Sequence, residues 1–248
     1  MKLKNIFKGV CLLSMLIAFI FGVLVKKGVI WVTTPFELIY SVKGVDVSSY
    51  QGDIDWNVIE SQGISFAFIK ATEGSTFNDR FFQQNWENAS KTNIRIGAYH
   101  FFSFDSSGKT QAKNFIRAVT KVDNMLPPVV DVEFYGNKNK NPPSKEHTQA
   151  ILNNLLEELE AHYGMKPIIY ATRSSYQRYI KDDYKDYDIW IRNLFYHPYL
   201  TDRNSWTFWQ YSNTKILKGY KGREKYIDMN FFNGSKKDFE KYNNPSEH

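Results

Sequence analysis

Asp131 and Glu133 stand two residues apart in LPPVVDVEFYG, directly after a pair of valines. If that run is a strand, side chains at i and i+2 share one face with Cα atoms ~6.7 Å apart, so both carboxylates point into the same space. Crowding like charges away from water raises a carboxyl pKa, which lets an acid keep a proton to donate near neutral pH. A protonated carboxyl beside a second carboxylate suits glycoside cleavage: one gives its proton to the leaving oxygen, and the other stabilises the oxocarbenium-like charge. Three more acids end or interrupt apolar runs: Asp46 in GVDVSSYQG, Glu73 in IKATEG and Asp228 in YIDMNFFNG. A lone acid more often caps a helix, pairs with lysine or faces solvent, and Asp53 and Asp55 are read that way. For Asp131 with Glu133 that reading would leave two like charges buried without a purpose.

Such acids need a frame that gathers strand ends. Eight short apolar or β-branched runs serve as strand candidates, at 44–47, 66–70, 95–102, 129–133, 167–171, 188–191, 207–211 and 226–231. Helix-like stretches at 55–62 (with Asp55 as N-cap), 80–91, 109–120 and 144–163 separate the first five, and another is expected at 174–179. Eight strands is the count of a closed β/α barrel, whose active site lies at the C-terminal ends of its strands. Asp46 and Asp228, on the first and last strands, would be neighbours once the barrel closes. The later strand runs are separated by Asn-, Gly- and Lys-rich stretches without helical period, so the fold class is α/β, an irregular barrel of eight strands and about five helices. The stretch 137–141 with Pro142–Pro143 reads as an exposed loop.

Composition excludes other classes. The chain has 248 residues, 42% hydrophobic and 23% charged, an ordinary globular balance that leaves room for a sizeable core. Of the net charge of +6, residues 1–40 hold five lysines against Glu37, a net +4, leaving only +2 for the rest. A nearly neutral domain lacks the electrostatic footprint of a nucleic-acid binder. The single cysteine, Cys11, cannot pair within the chain, and the five histidines never fall at zinc-protease spacings, so no metal or other cofactor is expected. Aromatics reach 17%, a surplus that suits a groove for stacking sugars.

Residues 9–25 (GVCLLSMLIAFIFGVLV) are uncharged, with three lysines before them and Lys26–Lys27 after. Seventeen residues span ~25 Å, enough to approach the ~30 Å hydrocarbon core once Ile6 and Phe7 are added. No clean small-residue cleavage site follows, so an uncleaved membrane anchor is favoured over a signal peptide. The lysine balance puts the N-terminus in the cytoplasm and the large domain outside. Residues 1–40 are thus expected as stub, membrane segment and linker, 41–240 as the barrel and 241–248 as a frayed tail.

Seven pieces, GVDVSSYQGDIDW, FAFIKATEG, IGAYHFF, LPPVVDVE, KPIIYAT, WTFWQYS and IDMNFFNG, together resemble glycoside hydrolase family 25, the lysozymes of the Chalaropsis type, over residues 43–234. The resemblance implies an N-acetylmuramidase that hydrolyses the β-1,4 bond between N-acetylmuramic acid and N-acetylglucosamine in the glycan strands of peptidoglycan; separately, a monomer is expected. It implies Glu133 as general acid, Asp131 as the group that orients a substrate acetamido group or stabilises an intermediate, and Asp46 and Asp228 as groups that tune charge and hold substrate. Tyr99, Tyr170, Trp209 and Tyr211 match aromatic positions of the family's groove, and Glu73 is expected beside the substrate. Arg192, in WIRNLFY, departs from the Trp-Ile-Ala of many members and adds a charge near the site. The alternative is a membrane-tethered glycan-binding barrel without hydrolysis, which the intact acids disfavour. A chitinase-like barrel would want an aspartate where Val129 stands.

Overall fold

The computed structural model describes residues 2–26, 34–202 and 205–243. In chain order the elements are α1 (Lys2–Lys26), a 3-10 turn (Thr34–Leu38), β1 (Lys43–Val47), α2 (Trp56–Ser61), β2 (Ile64–Glu73), β3 (Phe77–Asn78), α3 (Phe82–Ala89), β4 (Arg95–Phe101), α4 (Gly108–Ala118) and β5 (Val129–Val132). They continue with α5 (Lys145–Tyr163), β6 (Ile168–Thr172), α6 (Arg173–Ser175), a π-helical turn (Tyr176–Ile180), β7 (Ile189–Arg192), β8 (Phe208–Lys215), β9 (Ile227–Phe232) and α7 (Lys236–Lys241). Side-chain caps start α2, α4 and α5: Asp55 accepts from the Val58 amide, Ser107 from Thr110 and Ser144 from His147.

Strands β1, β2, β4, β5, β6, β7 and β8 run parallel in that spatial order, and β9 closes the barrel between β8 and β1. The eight expected strands form the closed eight-strand barrel, with β3 added as a short antiparallel flap on β2. β9 is antiparallel to both neighbours. The cause is local, since residues 216–226 between β8 and β9 contain no helix and a parallel return needs a crossover. The helix expected at 174–179 is split into α6 and the π-helical turn, and α7 lies beyond the expected set.

Alternate side chains on each strand turn inward. Phe66, Phe68, Val129, Ile168, Trp190 and Phe208 fill the barrel interior, while Val45, Ile69, Val130, Ile169 and Ile191 face outward toward helices that bring Trp56, Trp86, Phe115 and Leu155. Gly44 and Gly97 make room for the inner rings: a Cβ would lie 2.3 Å from the Phe66 ring and 2.8 Å from the Phe68 ring. The floor is closed by α7, where Phe239 packs on Phe66 and Tyr242 on Phe208, and Arg95 donates to the carbonyls of Phe239 and Tyr242. Lys241–Asn243 therefore belong to the folded body rather than to a frayed tail, and residues 244–248 lie outside the described residues.

The segment 34–40, expected as linker, is also built onto the barrel. Phe36 meets Trp209 edge-on at 5.2 Å, Tyr40 meets Trp206 at 5.1 Å and bonds His197 Nε2 at 2.8 Å, and Glu37 bridges Lys43 and Lys215. The window Ile6–Val23 of α1 has mean hydropathy 2.4, none of it buried, and is long and apolar enough to cross a membrane.

Candidate active site

The parallel strands all end on one face, and β9, running the other way, begins there. Asp228, second residue of β9, therefore reaches the same mouth as Asp46 near the end of β1, and the two are register partners. Asp131 lies in register between Phe101 of β4 and Tyr170 of β6, and Glu133 follows β5 on the same inward parity. These residues line a cavity of about 620 Å³ that also receives Lys70, Glu73, Tyr99, Trp190, Arg192 and Gln210. All four expected catalytic acids meet there, as do Glu73, Tyr99, Tyr170 and Arg192.

Trp209 and Tyr211 do not. Both are fully buried on the outer face of β8, where Tyr211 stacks on Phe231 at 3.8 Å and the Trp209 indole donates to the Asn193 carbonyl. Their expected place in the groove is corrected by pleat parity: Gln210 between them turns inward, so its neighbours must turn out. Sequence reasoning misses Gln210, as it misses Asn230, Lys70 and Trp190. Strand alternation through WTFWQYS and IDMNFFNG is the signal that would have found the first two.

Gln210 and Asn230 organise the mouth. Trp190 Nε1, which can only donate, gives its hydrogen to Asn230 Oδ1 at 2.8 Å, turning Asn230 Nδ2 onto Asp46 Oδ2, also at 2.8 Å. The Tyr170 hydroxyl donates to Gln210 Oε1 at 3.1 Å, turning Gln210 Nε2 onto Asp46 at 2.9 Å and Asp228 at 3.2 Å. Burial raises Asp46 above the usual carboxylate value, while the amides of Asn230 and Gln210 oppose the shift and favour its ionised form. Asp228 is pushed up to about 9, by burial first and then by the Asp46 charge, so it carries a proton at neutral pH.

Asp131 and Glu133 form the second pair. Burial raises Asp131 well above the usual carboxylate range, and the Glu133 charge raises it further. Burial raises Glu133 too, while Arg192 and Lys70 oppose the shift. Asp131 Oδ1 is buried and takes no hydrogen bond from the described residues, while the carboxyl group as a whole lines the cavity. Tyr99 and Tyr170 stay protonated, raised by burial first and then by the surrounding acids. Glu73 sits at the rim, paired with Lys70 at 2.9 Å. His100 lies outside this constellation: it is buried, bonded to Thr72 and Gln111, and lowered to about 4 by burial, so it is neutral and structural. Among the described residues no group of three or more His, Cys, Asp or Glu is placed to hold a metal ion.

Two polarised carboxyl pairs facing one cleft can donate a proton and stabilise a nearby cation, and known proteins share the frame. The sequence pattern of the family described as glycosyl hydrolases family 25 matches residues 45–220. The chain is 58% identical to a family 25 glycosyl hydrolase from Bacillus anthracis of known structure, with a TM-score of 0.79 over 82% of this chain and 94% of that one. A bacterial lysozyme from Streptomyces coelicolor superposes with a TM-score of 0.72 at 32% identity, over 79% of this chain and 94% of that one. Lysozyme M1 of Streptomyces globisporus is 32% identical over 210 residues, 78% of this chain and 68% of that protein. With the pattern spanning most of the barrel and the acids in its mouth, the chain belongs to glycosyl hydrolase family 25 and is a glycoside hydrolase.

Proposed function

We propose that the protein is a muramidase that hydrolyses the β-1,4 bond between N-acetylmuramic acid and N-acetylglucosamine in peptidoglycan, with Glu133 as general acid. The observation that carries this reading is the Asp131–Glu133 pair, inward on one strand and raised by burial, inside a cleft lined by Tyr99, Tyr170 and Trp190. Relatives named as lysozymes support the same bond.

In this mechanism the Glu133 proton passes to the glycosidic oxygen as the C1–oxygen bond breaks, and the substrate's 2-acetamido oxygen closes on C1 from the other face. The Asp131 carboxylate, which lines the cavity, accepts the acetamido N–H. That bond favours the charged form of Asp131 and leaves the shared proton on Glu133. Water then attacks C1, displacing the acetamido oxygen and re-forming the acetamido group, and gives its proton back to the Glu133 carboxylate. Asp46, whose ionised form Gln210 and Asn230 favour, stabilises the positive charge that develops, and Asp228 carries the proton that keeps two anions from facing each other.

The deciding experiment is digestion of purified peptidoglycan with identification of the new reducing end. Muramic acid supports the reading, glucosamine would make the enzyme a glucosaminidase, and no release would favour a glycan-binding barrel. De-N-acetylated muramic acid should be a very poor substrate, whereas a trapped glycosyl ester on Asp46, Asp131 or Asp228 would replace the acetamido route with a carboxylate nucleophile. The apolar helix Ile6–Val23 supports retention at a membrane with the barrel on the outer side, where peptidoglycan lies.

A further inference from the structure

The catalytic cleft has a side arm. A cavity of about 410 Å³ shares Ser48, Tyr50, Lys70 and Glu73 with the main cleft and runs outward past Asp79 to Arg80 and Arg223. Its charges are unevenly spent. Glu73 is paired with Lys70. Asp79 is buried, and its two oxygens accept the backbone amides of Ser49 and Phe81, tying the loop after β1 to the start of α3. Neither Arg80 nor Arg223 has a carboxylate within ion-pair distance among the described residues; each guanidinium lies only over a ring, Arg80 over Phe81 and Arg223 over Tyr50 at 4.2 Å.

Arg223 is held in place by its loop. Gly222 lies so close to the loop after β1 that a Cβ there would be 2.1 Å from the Tyr50 carbonyl, and the Glu224 amide donates to that same carbonyl at 3.0 Å. Gly52, at φ +69°, abuts Gly222 from the other side. The two loops are thus locked, and the Arg223 fork is stacked at the mouth of the arm with its donors free. Planar forks of this kind are the side chains that best recognise carboxylates.

We propose that this arm is a binding site for the carboxylates of the stem peptide attached to muramic acid, held by Arg80 and Arg223, and that it gives the enzyme a preference for peptide-bearing over bare glycan. The proposal rests on the muramidase reading for the identity of the glycan, and it adds a second recognition element outside the sugar groove. Lactyl carboxylates on peptide-free glycan offer the same chemistry closer to the sugar chain, so the substrates must separate the two sources.

The test uses the full chain and three substrates: peptidoglycan fragments with stem peptides, the same glycan after an amidase has removed the peptides and left the lactyl carboxylates, and peptide-bearing fragments whose carboxylates have been converted to amides. Binding and turnover are both measured, for the native protein and for Arg80→Gln/Arg223→Gln. The expected result is a rise of about tenfold in KM and in dissociation constant for the peptide-bearing fragments, with kcat within about twofold and the peptide-free glycan unaffected. Amidated fragments should behave toward the native protein as the unmodified ones behave toward the variant, and the native preference should shrink as salt rises. Equal weakening on peptide-bearing and peptide-free glycans, or no weakening on either, would overturn the proposal. Should the native chain release no muramic acid end, the muramidase reading fails, while the binding comparison still decides whether the arm takes the peptide.

Discussion

Asp46 and Asp228 face each other as register partners across the antiparallel junction of β1 and β9, and they share Gln210 as a hydrogen-bond donor. The two are not equivalent. Asn230 adds a second amide to Asp46 alone, and Trp190 and Tyr170 fix the direction of both amides. Asp46 is therefore the more readily ionised member of the pair and Asp228 the neutral acid.

That asymmetry predicts opposite tolerance to amide substitution. Asp228→Asn replaces a neutral carboxyl with a neutral isostere and should keep kcat on peptidoglycan within about tenfold of the native value. Asp46→Asn removes the fixed negative charge and should lower kcat by roughly 10²–10³, the scale of losing one preorganised electrostatic group. Equal losses from the two variants would show that the proton is not localised on Asp228.

The same proton links stability to pH. The pKa of Asp228 rises from 3.8 to about 9 on folding, so between those values the folded state binds more protons than the unfolded chain. Its contribution to stability is fully present below the lower value, falls as pH rises, and is gone above about 9. Urea midpoints of the native protein should accordingly decline between pH 5 and 9 more steeply than those of Asp228→Asn. Parallel pH profiles for the two proteins would contradict the assignment.

Glu133→Gln should lower kcat by about 10²–10⁴ with glycan binding and the unfolding transition preserved, because the amide keeps the shape but has no proton to give. Arg192 tests the electrostatics of the same group. It opposes the rise of both Glu133 and Asp228, so Arg192→Met should move the alkaline limb of the kcat profile to higher pH. A limb that does not move would mean that another group controls it.

The strands and the acids were legible because each strand is a short apolar run and because closure gathers their ends. The direction of β9 was legible in principle from residues 216–226, which carry no helical pattern to support a crossover. Aromatic type alone assigns Trp209 and Tyr211 to a groove, whereas parity with Gln210 assigns them outward; residue type says what a side chain could do, and the pleat decides where it does it. Trp209→Phe should therefore leave KM unchanged and cost about 1–3 kcal/mol of stability, since the part-buried Asn193 carbonyl loses its indole donor. A raised KM at full stability would return Trp209 to the groove.

The domain boundary was the least legible feature, because the partners of its residues are remote. Tyr40 and His197 lie 157 positions apart in sequence, and nothing near Tyr40 distinguishes a packed aromatic from one in a linker. Phe36, Glu37 and Tyr40 extend the folded body back to Phe36 rather than to 41. A chain beginning at Thr34 should unfold at a urea concentration close to that of the full-length catalytic domain. One beginning at Ser41 should lose roughly 2–4 kcal/mol, the scale of two partly buried aromatic side chains, while its folded fraction keeps the kcat of the longer form. Matching midpoints for the two truncations would mean that the segment lies on the barrel without supporting it, and the aromatic cluster around Trp206 and Trp209 would then be stable on its own.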